Sequence, residues 1–299
     1  MKDGITVGNK KVTLAPLSAF GNMASQKRKE EFIQEWDSKM NMSLETVMRE
    51  IASKIPGDKI GIALESGKIR AATTNVTISV DVAANNGNQL YRFSRTLYFP
   101  DSEYVGKSVY HSIFVCEQDA FSAWAKQSGY RGHDPGKPSV GAMVGIYDHV
   151  GIKEIRVHAN INMGGYSWHK YGFKCEDRQT LIRTAKDAQS TFSEYLTKLD
   201  TAKIKYDKAE MDKIQKIIDM AKAGDIKAMW ALVDCDYSLE KMDGGIGLAI
   251  AKRNGRKPNF NYKDLTVAKV LCIGSDWLGN INMEDPDQNL RLRKYLGLI

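Results

Sequence analysis

Apolar and polar positions recur at two different periods along the chain, and the switches between them mark out its elements. Residues 1–22 carry no periodicity and predict an arm or a short edge strand. From Ser25 the spacing becomes helical: Phe32, Trp36 and Met40 recur every four residues and so share one face. Ser43 is placed to cap a second helix with an apolar stripe of Leu44, Val47, Met48 and Ile51, stopped by Pro56-Gly57. The period then falls to two. Residues 59–65, 75–82 and 90–99 predict strands. The last two form a hairpin through Asn85-Asn86-Gly87-Asn88, because Asn-Gly suits a turn whose two central residues both take positive φ. Residues 108–116 are the next strand, 122–127 a short helix, 129–138 a loop, 139–150 a helix and 153–160 a strand. A turn and helix follow over 164–171.

Beyond Asp177 the pattern is mostly helical. Residues 202–223 predict one continuous helix, with Ile204, Met211, Ile214, Ile218 and Ala221 on the core face and charges alternating on the other. Residues 226–233 predict another helix, and 244–254 a short Gly-led element. Residues 267–273 read as an apolar strand or helix, 275–288 as a loop, and 289–296 as a basic terminal helix. The chain thus divides into an N-terminal arm with helices (1–57), a mixed core (58–178) and a mostly helical C-terminal extension (179–299).

Composition narrows the classes. No stretch approaches the ~18 apolar residues of a membrane span, and the first residues lack the apolar core of a secretory signal. A soluble, cytoplasmic protein is expected. Cys116, Cys175, Cys235 and Cys272 are far apart, with no CxxC pair, and the five histidines show no HExxH. Reduced, mostly buried thiols and no metal site follow. The formal charge of +7 suits solubility or a polyanionic partner. Its densest basic groups are only Lys27–Lys29 and the run from Lys252 to Lys257.

The order helix, helix, hairpin, strand, Gly-rich loop, helix, strand, short helix resembles the GNAT superfamily of N-acyltransferases. The specific part is residues 151–173, GIKEIRVHANINMGGYSWHKYGF. There, Gly151-Ile152 with Ile155, His158-Ala159, Gly164-Gly165-Tyr166 with Trp168, and Gly172-Phe173 resemble a branch found in phage and mobile-element proteins. His111 to Val115 is similar to that branch's central strand. The resemblance implies an α/β (α+β) fold: a mixed, mostly antiparallel sheet flanked by helices, here with N- and C-terminal helical extensions. It also implies acetyl-CoA or another acyl-CoA as cofactor. The pantetheine arm would lie beside Phe114, Val115 and Cys116. The pyrophosphate would lie on Arg131 and the backbone N–H groups of Gly132 and Gly136. Asn162 joins the cofactor-binding set by the same resemblance.

Three departures accompany it. Asp134 stands where the family's first loop glycine belongs, Pro135 lacks an N–H, and residues 119–130 read as an insertion before the loop. The family's general-acid tyrosine, five residues before the closing Phe, is replaced by Trp168, leaving Tyr166 as a nearby phenol. His111, His158 and Glu117 are candidate bases, the histidines through an ordinary pKa of ~6.5. The plainer reading makes Tyr166, Trp168 and Phe173 core packing and the strand histidines structural. Two functions stay open. One is an acyl-CoA-dependent N-acyltransferase acting on an amine. The other is a non-catalytic GNAT-fold phage structural or virion-associated protein, in the host cytoplasm or the virion, docking protein partners through its helical extensions. A basic DNA-contacting protein is a third reading, for which neither a Lys/Arg stripe nor a reading motif is present.

Overall fold

The computed structural model describes residues 4–14, 36, 40–69, 72–99, 107–132, 135–159, 164–235, 237–239, 245–255 and 265–299. The chain forms two compact units that meet in sequence after Ile155. It is a mixed α/β protein with a mostly antiparallel open sheet. No helix among the described residues is long and apolar enough to cross a membrane.

In the first unit, β1 (Gly4–Val7) and β2 (Lys10–Leu14) form an antiparallel pair. The expected arm is therefore in part a hairpin. β2 runs parallel to β3 (Lys59–Ile69), followed in antiparallel order by β4 (Ala72–Ala83), β5 (Gln89–Tyr98) and β6 (Lys107–Cys116). β7 (Ile152–Ala159) stands next to β6 in the strand order. The β4–β5 hairpin forms as expected, with a different turn. Gly87 N–H donates to the Ala84 carbonyl, and within the turn only Gly87 takes positive φ. Asn86 instead accepts the Asn88 N–H through its side chain, and the register slips by one residue at Val82/Ala83.

One face of this sheet carries the apolar phase: Ile60, Ile62, Val76, Ile78, Val80, Phe93 and Leu97 are buried. Helices α1 (Leu44–Lys54), α2 (Gln118–Ser128) and α3 (Gly136–Val150) belong to the same unit. Ser43 caps α1 as expected, its hydroxyl accepting the Thr46 N–H, and Leu44, Val47, Met48 and Ile51 are buried against α3. Lys10 closes the other end, its ammonium donating to the Ala52 and Ile55 carbonyls, where a cation suits the helix dipole. Trp36 and Met40 are buried; Phe32 and the rest of the predicted first helix lie outside the described residues.

The second unit contains the end of β7, followed in strand order by β9 (Trp277–Asn282) and β8 (Lys174–Cys175). Its helices are α4 (Gly164–Tyr171), α5 (Arg178–Thr201), α6 (Lys208–Ala223), α7 (Ile226–Val233), α8 (Ile246–Asn254), α9 (Val267–Cys272) and α10 (Pro286–Leu296). The centre is the α5–α6 pair. Leu181, Ala185, Ala188, Phe192, Tyr195 and Leu199 of α5 are buried, as are Met211, Ile214, Ile218 and Ala221 of α6.

Two expectations are corrected here. The predicted helix over 202–223 is not continuous. α5 ends at Thr201, Lys203 takes positive φ, and Ile204 N–H returns to the Leu199 carbonyl, so Ile204 is only half-buried. The helix restarts at Lys208 because Asp207 accepts the Ala209 and Glu210 N–H groups. The spacing Asp207…Glu210 was the available signal. The second correction is that residues 275–288 are not all loop: β9 alternates with Trp277, Gly279 and Ile281 inward and pairs with β8. Asp207→Ala should lower the stability of the second unit by about 1 kcal/mol, the usual worth of an N-cap. A urea midpoint displaced at constant slope would report it.

Candidate functional site

The end of β6 and the glycine-containing loop before α3 are brought together in the first unit. β6 pairs with β5 as Arg95↔His111 and then Ser94↔Ile113, so Ser112 has no partner in the register. Such a bulge re-aims the residues beyond it. Past it, Phe114 and Val115 are 40% and 39% exposed. Cys116 is half-buried, with its thiol 3.9 Å from Gln118 Oε1. Glu117 is exposed and sits between β6 and α2, its N–H on the Leu90 carbonyl and its own carbonyl accepting from Phe121.

The stretch that reads as an insertion is largely α2. It carries an aromatic cluster. Phe121 meets Tyr91 edge-on at 6.0 Å and Tyr130 at 5.9 Å, and Trp124 lies 5.6 Å from Tyr130. Tyr91 also meets Phe114 at 6.3 Å, so one cluster joins the end of β6 to the loop. Trp124 Nε1 donates to Asp58 Oδ2, which ties α2 to the start of β3. Arg131 and Gly132 are exposed, and the Tyr130 ring lies so close to Gly132 that a Cβ there would stand 2.3 Å from its hydroxyl. Gly136 is the first residue of α3, whose first turn holds no acidic residue. Its N-cap is Pro135, whose carbonyl accepts both the N–H and the hydroxyl of Ser139. Asp134 and Asn162 lie outside the described residues.

His111 is not at the surface. It is fully buried under α3, with Nε2 2.9 Å from the Tyr147 hydroxyl and Arg95 directly across on β5. Burial, then the Arg95 guanidinium, holds its pKa well below the ordinary histidine value. Burial pushes the Tyr147 phenol up. The imidazole is therefore neutral and engaged inside the core, an environment for holding β5, β6 and α3 together. Arg95 itself is buried, donating to the Ser94 carbonyl and lying 5.0 Å from the Phe93 ring centre. Its place was legible: Tyr91, Phe93, Arg95 and Leu97 share the inward phase of β5, and a cation in that phase needs an interior partner. Tyr147 offered no such signal.

Tyr166 belongs to the second unit. It is buried on α4, with the ammonium groups of Lys170 and Lys269 at 5.8 and 5.7 Å from its ring centre. Trp168 contacts Phe173 at 5.0 Å and Tyr171 at 5.4 Å, the packing role of the plainer reading. His158 is exposed at the end of β7, its Nε2 hydrogen-bonded to Asp276, a partner 118 residues away that no local pattern indicates. Among the described residues no three His, Cys, Asp or Glu side chains are grouped to hold a metal ion. Comparison of the chain with protein-family models, with curated proteins and with solved structures finds no match.

Proposed function

We propose that the first unit is a GNAT-like acyl-CoA-binding domain, with the cofactor's pantetheine arm along the end of β6 and its phosphates at Arg131, Gly132 and the start of α3. The observation that carries this reading is the aromatic cluster that joins exposed Phe114 to that loop. An amine acceptor would attack the thioester carbonyl: a C–N bond forms, the C–S bond breaks, and the CoA thiolate leaves. Buried His111 is unsuited to take the ammonium proton. Glu117, exposed at the end of β6, is the carboxylate in position for it.

The test is calorimetric titration with acetyl-CoA. A ligand that binds only the folded state at a hundredfold excess over Kd adds ~2.7 kcal/mol of stability, so a raised melting temperature should accompany the heat. Arg131→Ala should weaken binding and Glu117→Gln should lower acyl transfer without weakening it. No heat and no thermal shift from the wild type would overturn the reading.

A second reading, a non-catalytic GNAT-fold structural or virion-associated protein, is favoured by the Tyr130 ring, which occupies the space a Cβ on Gly132 would take and so crowds the loop. Binding by Asp134→Gly but not by the wild type would support a pocket disabled in its loop.

A further inference from the structure

The outer face of the first unit's sheet carries two features that its own stability does not fully explain, although one residue involved, Lys59, donates its ammonium to the Asn85 carbonyl at 2.6 Å. The first is Gly61, in the interior of β3. Its φ is not positive, and a Cβ there would meet nothing nearer than the Asp81 carbonyl at 3.8 Å. Glycine in a strand costs about 0.5–1 kcal/mol relative to alanine, and neither backbone conformation nor crowding requires it here. It floors a depression of about 480 Å³. The second is the pair Lys11 and Lys59, directly opposite each other on β2 and β3, one step before Thr13 and Gly61. Like charges on adjacent strands repel. Asp81, the acid in the depression's lining, accepts from Gln89. Arg92 is Asp81's neighbour on β5 and is exposed, so three cations lie beside one carboxylate at this end of the face; Glu65 stands opposite Thr77 further along β3.

The face continues away from these cations as a row of hydroxyls. Thr77 bonds Thr96 at 2.9 Å and Ser79 bonds Ser94 at 3.2 Å between β4 and β5. It ends at Tyr98, 43% exposed, opposite Asn75. From Asp81 to Asn75 the strand covers about 20 Å at ~3.3 Å per residue. A small anion in the depression would use only one end of this track. A ligand with several phosphates and a planar ring uses all of it. Cations that follow a backbone together with an aromatic surface for a base are what sequence-tolerant binding of single strands requires.

We propose that this face binds single-stranded nucleic acid, with a backbone phosphate seated over Gly61 between Lys11 and Lys59, a second near Arg92, and a base on Tyr98. The site abuts the proposed acyl-CoA site at Arg92, which stands opposite Val115 in the β5–β6 register, but does not depend on that reading. The 299-residue chain is titrated by fluorescence anisotropy against a labelled oligo-dT of about 12 nucleotides. Log affinity should fall against log salt with a slope of about −1.4, from ~0.7 for each of the two phosphates neutralised. Gly61→Val fills the depression with a good strand former. It should hold or raise the melting temperature while lowering affinity about tenfold or more, as for loss of a contact worth 1.4 kcal/mol or more. Lys11→Glu should weaken binding and flatten the slope by about 0.7. Tyr98→Ala should weaken it roughly tenfold at unchanged slope. The proposal is overturned by any of four results: no binding at low salt, wild-type affinity in folded Gly61→Val and Lys11→Glu, tighter binding of duplex than single strand, or displacement by dextran sulfate as readily as by unlabelled oligo-dT.

Discussion

Gly165→Ala should destabilise the second unit by about 3 kcal/mol, at the upper end of the usual cost of overpacking. Gly165 lies in the first turn of α4, against the end of α9. A Cβ there would stand 1.9 Å from Ser275 Oγ and 2.4 Å from the Cys272 carbonyl oxygen. The hydroxyl can move only at the expense of its own bond to that carbonyl; the carbonyl, as backbone at a helix end, has nowhere to go. The double variant Gly165→Ala/Ser275→Ala should therefore recover only part of the loss. Hydrogen exchange read peptide by peptide over α4 and α9 localises the effect to this unit. Unchanged protection in Gly165→Ala would mean that the two helices do not approach as closely as described.

Acid should destabilise the same unit through His169, by on the order of 3 kcal/mol between pH 6.5 and about 4. The imidazole is fully buried and stacks on Trp277, with ring centres 4.1 Å apart. Nδ1 lies 3.0 Å from the Phe173 carbonyl, which can only accept, so Nδ1 carries the proton. Nε2 is left as a buried acceptor without a hydrogen-bond partner among the described residues. Burial first, with a smaller push from Arg291 and a smaller opposing pull from the Phe173 carbonyl, lowers its pKa from 6.5 to about 4. The fold accepts the neutral ring. Below pH 6.5 the unfolded chain takes up a proton that the folded chain refuses until about pH 4. Stability is therefore full above 6.5, falls through that interval and levels below it. At 1.36 kcal/mol per pH unit the interval amounts to about 3 kcal/mol. His169→Asn, whose amide can still donate to the Phe173 carbonyl, should flatten this part of the pH profile in urea melts. An equally steep profile in the variant would assign the acid sensitivity elsewhere. His111, also buried with a lowered pKa, acts with the same sign in the first unit.

What neighbours in the chain encode was legible without coordinates. The period-two runs are β3, β4, β5 and β6, and Ser43 with its stripe is α1. The burial of Met211, Ile214 and Ile218 on α6 follows from three-four spacing alone. The start of α6 is encoded locally as well, by Asp207 capping the Ala209 and Glu210 N–H groups. These are local matters: a side chain and a backbone N–H within three residues, or apolar groups stacked on one face.

Other features depend on pairings that no local pattern specifies. β9 alternates, but its strand is recognisable only once β8 lies beside it, about a hundred residues away. The bulge at Ser112 exists only relative to β5, and it decides that Phe114 and Val115 emerge at the surface while His111 stays inside. Whether a histidine is a base or a core residue is a question of desolvation, which the surrounding elements set and the residue type does not. The sequence alone established the alternation of elements, the caps, and the helical packing of the C-terminal half. The tertiary structure alone placed Tyr147 on His111, Asp276 on His158, and Lys11 beside Lys59 over an open glycine, because each is a meeting of groups that the chain brings together only by folding.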